Sequence, residues 1–179
     1  IPLRQPCVFT RVYNTPQGTI HPYVLGVILG DGGITGDATT FSSADDEIVN
    51  KVASLVDGRV VKHNGKRFGY GIVDAPVVRE SLRRFGLKGA GSLTKFVPEP
   101  YRYSPVDVRR ELLRGLMDTD GTADDRGHVS FASISPQLAK DVQWLVRSLG
   151  GKATISQKSA GYKKDGARIT CNDSYEVYI

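Results

Sequence analysis

A nine-residue pattern occurs twice in this chain, and it constrains the fold more than any other feature. Val24-Leu25-Gly26-Val27-Ile28-Leu29-Gly30-Asp31-Gly32 is one copy; Leu113-Arg114-Gly115-Leu116-Met117-Asp118-Thr119-Asp120-Gly121 is the other. Each has a small residue at its third and seventh positions, apolar residues between, and a closing Asp-Gly. Apolar residues this dense over two turns predict a helix buried on most sides. Gly26 and Gly30 fall at i and i+4 on one face, as do Gly115 and Thr119. Small residues at that spacing let two helix backbones approach closely, and Gly32 and Gly121 stand where such helices stop. Two helices crossing at their small faces bring Asp31 and Asp120 together at one end, on a pseudo-symmetry axis between similar halves. Carboxylates held close are costly unless a proton or a cation neutralises them. A hard divalent ion held by carboxylates and water, ordinarily Mg²⁺, meets that need.

Charge placement says more than charge total. The chain of 179 residues carries a net charge of +5. Nine of its 24 Lys and Arg fall in two short segments: Arg59, Lys62, Lys66 and Arg67 in one, Lys152, Lys158, Lys163, Lys164 and Arg168 in the other. Basic blocks are often only solvated surface. These two sit at equivalent places in the two halves, on predicted strands, with Asn64, Tyr70, Ser156, Gln157 and Thr170 among them. That pattern fits groove-facing hairpins, because a two-stranded ribbon enters the major groove and sets Arg, Lys, Asn and Gln against base edges. Phosphate contacts then supply most of the affinity.

The order of elements repeats. Residues 1–20, with three prolines, read as a leader or linker. The first half spans 21–102 and the second 103–179. In the first, a motif helix (21–30) is followed by a strand (38–42) and a helix over 47–56, with Ser43 as its N-cap. A hairpin comes next, 59–63 with 68–73 across Asn64-Gly65, and then a helix from Pro76 to about Phe85, capped by Asp74. In the second, the motif helix (106–119) is opened by Ser104 and Pro105. A strand (128–133) precedes a helix starting at Ser135-Pro136 and ending at Gly150-Gly151. Strands over 152–157 and 168–172 flank a basic loop, 158–166, and a last strand covers 175–178. Trp144, at a helix core position, reads as packing. The whole is an α+β fold of two α-β-β-α-β-β halves joined at the motif helices, with two antiparallel sheets forming a saddle.

Other classes recede. No run of 18 apolar residues predicts a membrane span, and no signal-peptide pattern is visible. Cys7 and Cys171 lack metal-type spacing and suggest a reduced, intracellular setting. Met117-Asp118-Thr119-Asp120-Gly121-Thr122 resembles the nucleophile motif of haloacid-dehalogenase-type phosphatases, but that motif follows a strand, and Val106–Met117 reads as a helix. A calcium loop over Asp118–Asp125 fails on ligand spacing.

The paired motifs resemble the LAGLIDADG helices of single-chain homing endonucleases. Lys95-Phe96-Val97-Pro98-Glu99-Pro100-Tyr101, running into Ser104-Pro105, is similar to the lysine-containing block before the second motif in endonuclease domains carried by inteins, and His21-Pro22-Tyr23 is also intein-like. The resemblance covers 21–179. It implies a monomeric, DNA-associated enzyme that cuts both strands of a long specific duplex site and leaves short 3′ overhangs. Asp31 and Asp120 would bind Mg²⁺, two or three ions in all, with Gly30 and Thr119 beside them; Ca²⁺ would bind without supporting cleavage. Lys95 would be the positive group near the pocket. The rival from another class is a non-cleaving DNA-binding protein on the same scaffold, maturase-like or regulator-like. Its mark would be loss of a motif carboxylate, and both are present. The Asp31-to-Lys95 interval, laid off from Asp120, passes Ile179, so a second lysine and closing helix are expected outside this sequence. Without Cys or Ser first or His-Asn last, self-splicing by this stretch alone is not expected.

Overall fold

The computed structural model describes residues 5–9, 18–159, 161–164, 167–170 and 172–179, with backbone only over 162–164 and 167–170. Its centre is the first motif helix, α1 (Pro22–Asp31). Pro22 opens it with a preset φ, and the His21 imidazole Nδ1 accepts from the Tyr23 N–H at 3.2 Å. Val24, Leu25, Val27 and Ile28 are wholly buried. A helix apolar all round has to be wrapped on every side, and each of these side chains contributes about 1.5–3 kcal/mol by leaving water. The second motif helix, α5 (Val106–Asp120), supplies one wrapping side through Leu112, Gly115 and Leu116.

Two glycines set the distance between these helices. A Cβ on Gly26 would stand 2.4 Å from the Leu112 carbonyl oxygen, and one on Gly115 2.1 Å from that of Tyr23. Backbone meets backbone there, so no side chain fits. Tyr23 also ties the pair together by donating its hydroxyl to the Asp118 carboxylate at 2.7 Å.

Each motif helix runs directly into a short strand, β1 (Gly32–Gly33) or β5 (Gly121–Ala123). The first sheet is completed by β2 (Thr39–Ser42), β3 (Arg59–Lys62) and β4 (Gly69–Val73), in the order β1-β2-β4-β3. The second contains β6 (Val129–Ser133), β7 (Thr154–Lys158) and β10 (Ser174–Tyr178), in the order β5-β6-β10-β7. All pairs are antiparallel. Helices α2 (Asp46–Leu55) and α3 (Pro76–Arg84) belong to the first half, the short α4 (Glu99–Arg102) leads into α5, and α6 (Pro136–Ser148) belongs to the second. The expected α+β architecture of two similar halves is present.

Several local expectations are corrected. The strand expected over 168–172 is instead β9 (Ala167–Thr170), which among the described residues pairs with β8 (Gly161–Lys164), inside the segment expected as loop. β10 takes the central place in the sheet. Asp45, not Ser43, caps α2 by accepting from the Glu47 N–H at 2.8 Å. Asp74 caps nothing: it has φ 53° and holds Arg59, while Asp57 accepts from the α3 Val77 N–H at 2.6 Å. α5 has Pro105 at its N-cap with no side-chain cap bond, and the Ser104 hydroxyl donates to the Pro100 carbonyl at 2.6 Å. The Ser135 cap stands, accepting from the Leu138 N–H at 3.1 Å.

Residues 5–9, within the expected leader, lie against the second half. The Cys7 N–H donates to the Ser148 carbonyl at 2.8 Å. The buried Arg109 guanidinium donates to the carbonyls of Cys7, Ser104 and Ser148. The Phe9 ring stacks on Trp144 at 5.6 Å, so Trp144 is packing.

Candidate functional site

The motif carboxylates leave their helices side by side. A Cβ on Gly30 would lie 2.0 Å from Thr119 Oγ1 and 3.2 Å from Asp120 Oδ2, so the last turn of α1 touches the last turn of α5 at the second carboxylate. The Asp120 carboxyl is pushed up to about 6, first by burial and then by Asp31, against the pull of Lys95. The Asp31 carboxyl is raised by its own burial, with Lys95 opposing. Asp31, Asp120, Lys95, Gly30 and Thr119 thus converge, as their motifs predicted. A cleft of about 380 Å³ opens beside Asp31, lined by Asp45, Phe68, Asp118 and Thr119 among others.

Lys95 does something the sequence did not reveal. It is only 3% exposed, and its Nζ donates to the carbonyls of Ile28, Gly30 and Gly32 at 3.0, 2.9 and 2.7 Å. An ammonium there satisfies carbonyls at the helix end and faces the negative pole of its dipole. Burial pulls its pKa down to about 8, with Asp120 and then Asp31 opposing. The lysine fixes the end of α1 and, from beneath, sets a positive charge under both carboxylates. Its own carbonyl accepts from the Ser135 hydroxyl at 2.7 Å, and the Val97 N–H donates to Asp141 at 2.8 Å. The block around Lys95 therefore couples the α1 terminus to the start of α6.

Two further placements qualify the expected metal set. The Gly30 carbonyl already accepts from Lys95. The Thr119 hydroxyl donates to the Leu116 carbonyl at 2.9 Å, which fixes the direction its oxygen lone pairs face. The donors are oxygens, two of them carboxylates that burden one another without a cation, and this set fits a hard divalent ion. Among the described residues no group of three or more His, Cys, Asp or Glu side chains converges, so water or phosphate oxygens would complete the coordination.

Register sorts the expected DNA-contacting residues between two faces. Phe41 pairs with Tyr70, and Tyr70 with Lys62; Phe41 and Tyr70 are buried. Tyr70 is thus a core residue stacked on Phe41 at 5.5 Å, and Lys62 lies on that same face at the strand end, its Nζ over the Tyr70 ring at 5.4 Å. Tyr70 is a correction, since it is buried; Lys62 shares its face but is exposed at the strand end. Arg59 and Val61 fall on the outer face, with the Arg59 guanidinium on Asp74. Asn64, Lys66 and Arg67 are exposed in the connecting turn, where Gly65 takes φ 82°. In the second sheet Ser156, Lys158, Glu176 and Tyr178 share the outer face, while Gln157 falls with core-facing Tyr175 and donates to Asp173 at 2.7 Å. Gln157 itself is exposed. Lys152 is exposed just before β7. The side chains of Lys163, Lys164, Arg168 and Thr170 lie outside the described residues.

Sequence reasoning missed three groups. Asp118 was weighed as a phosphatase nucleophile and as the start of a calcium loop, not as a partner of Tyr23; it lies on a helix and accepts from Tyr23, so the phosphatase reading fails. Asp141 joins Val97, Arg102 and Gln137 beneath the site. Glu176 accepts from Ser130, Lys158 and Tyr178 on the outer face of the second sheet; its polar place in the alternating run from Tyr175 to Tyr178 was the available signal.

Two similar α+β halves, joined where small-faced helices touch and each ending its helix in a carboxylate, define a LAGLIDADG architecture. The chain carries that fold: the family model described as "LAGLIDADG-like domain" matches residues 107–178. Among solved structures it is similar to the homing endonuclease I-DmoI in complex with DNA and Mn, with TM-score 0.58, 16% identity and coverage of 90% of this chain and 89% of that one. It is also similar to the N-terminal LAGLIDADG domain of DUF199/WhiA, with TM-score 0.50, 13% identity and coverage of 98% and 89%. Among curated proteins it is 33% identical over 169 residues to the replicative DNA helicase DnaB of Mycobacterium intracellulare, covering 93% of this chain and 26% of that protein. It is 26% identical over 148 residues to the GyrA-type polypeptide of DNA gyrase from Mycobacterium kansasii (74% and 26%), and 25% identical over 157 residues to elongation factor 2 of Methanopyrus kandleri (86% and 12%). The chain spans about a quarter or less of the length of these relatives.

Proposed function

We propose that this chain is a site-specific DNA endonuclease of LAGLIDADG type, which makes Mg²⁺-dependent double-strand breaks with short 3′ overhangs in a long target. The observation that carries this is the meeting of Asp31 and Asp120 at the touching ends of α1 and α5, with Lys95 beneath them. Each half contributes one carboxylate, so each strand of a duplex laid across both sheets has one nearby. A bound Mg²⁺ would supply an activated water and neutralise charge developing at the phosphate. The chain's own part is to hold two carboxylates ionised against burial and to keep the end of α1 rigid through Lys95. The exposed Asn64, Lys66, Arg67 and Lys152, with Ser156 and Lys158 on the second outer face, would grip the duplex. Solved I-DmoI complexes with Mn, Ca and Mg support a divalent-ion site in this scaffold.

The pattern of relatives supports an intein origin. A helicase, a gyrase and an elongation factor have unrelated activities, yet each resembles this chain over only 26%, 26% and 12% of its length. A shared segment inside unrelated proteins is what an inserted element produces. The similarity to the WhiA domain favours one alternative, a binding protein that does not cut, since the scaffold also occurs in a protein not named as an endonuclease. Incubation with a randomised duplex library in Mg²⁺, with a Ca²⁺ control and sequencing of all cut ends, separates the two. One recurrent staggered site cut only in Mg²⁺ is the expected result. Enrichment of a sequence without cutting would establish the binding protein instead.

A further inference from the structure

Glu176 is an unexpected group on a DNA-facing surface. It lies on β10, a central strand of the second sheet, on the outer face opposite Ser156 and Ala132. Its side chain is 22% exposed. A carboxylate facing a polyanion is repelled by every phosphate, so it lowers affinity wherever it sits unless it meets something other than phosphate. Its surroundings hold it ionised and aimed. Ser130 Oγ donates to Oε1 at 3.1 Å, while Oε2 accepts from the Tyr178 hydroxyl at 2.7 Å and from Lys158 Nζ. The pKa is lowered by these partners, Lys158 first. A carboxylate has about four acceptor sites; Oε1 accepts one hydrogen bond among the described residues and keeps room for another.

We propose that Glu176 reads a cytosine in the major groove of the bound DNA, Oε1 accepting from the exocyclic N4 amine. An acceptor-only group discriminates among all four base edges. Guanine presents N7 and O6 and thymine presents O4, all acceptors that repel it; adenine offers N6 but sets the N7 acceptor alongside; cytosine offers N4–H₂ without that neighbour. The carboxylate therefore adds specificity as much by rejecting three bases as by binding one. Ser130, Lys158 and Tyr178 act as positioning residues, fixing the carboxylate's plane before DNA arrives.

The proposal rests on the DNA-binding reading above, and its test separates the two. A randomised duplex library is selected on the wild-type chain and on Glu176→Gln in Ca²⁺, and base preference is read at every position. Wild type should prefer cytosine at one position by about 5- to 10-fold. Glu176→Gln should move that position toward adenine, because Gln pairs with N6 and N7, and leave the others unchanged. A Gln variant with unaltered preferences, or with affinity changed equally for all sequences, overturns the Glu176 assignment alone. A wild-type chain that enriches no sequence overturns the DNA reading itself. Should the variant not fold, wild-type protein is tested on its selected site with single cytosines replaced by pyrimidin-2-one, which lacks the N4 amine. Loss of about 5-fold or more at one such position sustains the assignment, and equal binding at all of them contradicts it.

Discussion

The two halves share a plan and divide the work. In the first, α1 is buried nearly throughout, its terminus is gripped by Lys95, and the outer sheet face is sparse: Gly69 and Gly71 occupy alternate places on β4, beside Val61 and Arg59. In the second, α5 buries one stripe, and the outer face carries the network of Ser130, Lys158, Glu176 and Tyr178. The first half is the anchor on which the carboxylates are positioned, and the second presents a pre-ordered hydrogen-bonding surface. Pseudo-symmetry is kept at the Asp-Gly helix ends, where the proposed chemistry needs it, and abandoned on the outer sheet faces. A symmetric surface would suit a palindrome; this one suits two unlike half-sites.

Symmetry at the axis predicts equal effects from its two carboxylates. Asp31→Asn and Asp120→Asn should each reduce double-strand cleavage by at least about a hundredfold, with binding in Ca²⁺ preserved. A variant still cutting at full rate would show that the halves do not share one site. Next in size are the glycines. Gly26→Ala and Gly115→Ala drive a methyl into backbone and should cost about 1–3 kcal/mol or more in denaturant unfolding. Gly30→Ala meets the Thr119 side chain, which can turn aside, so it should cost less. If all three cost the same, backbone contact does not set the helix spacing.

A smaller effect runs against function. The folded pKa of Asp120 lies near 6, above its ordinary carboxylate value. A raised carboxyl pKa favours folding while the group is protonated, and that stability is lost as pH rises from about 4 through 6. In EDTA at about pH 7.5, Asp120→Asn should therefore raise stability by about 1–2 kcal/mol, whereas at about pH 4 it should do little. Thermal melts at both pH values measure it. Smallest are the phosphate grips. Lys66→Ala or Arg67→Ala should weaken binding severalfold and reduce the salt slope by about one. Lys158→Ala should weaken binding less, because that ammonium is held by Glu176.

What was legible follows from the range of each interaction. The motif helices, the Asn64-Gly65 turn and the Ser135 cap depend on neighbours within about four residues, and spacing exposed them. Asp74 looked like a cap by position, but it takes a left-handed φ toward Arg59, and Asp57 from the preceding turn does the capping. Lys95 was recognisable as a site residue only through its surrounding block; its three carbonyl partners lie across the fold. Tyr70 was misplaced because strand alternation decides between core and groove, and one residue of register reverses the answer. β8 was missed, and β9 was given the wrong neighbour, because a ribbon of this kind carries no hydrophobic pattern of its own.

The proposed mechanism rests on one shared cation site, half from each motif. Calorimetric titration of Mn²⁺ into the wild-type chain, Asp31→Asn and Asp120→Asn tests it directly. Binding by wild type and at least about tenfold weaker binding by either variant is the predicted result. Unchanged affinity in both single variants would contradict a site built where α1 and α5 meet.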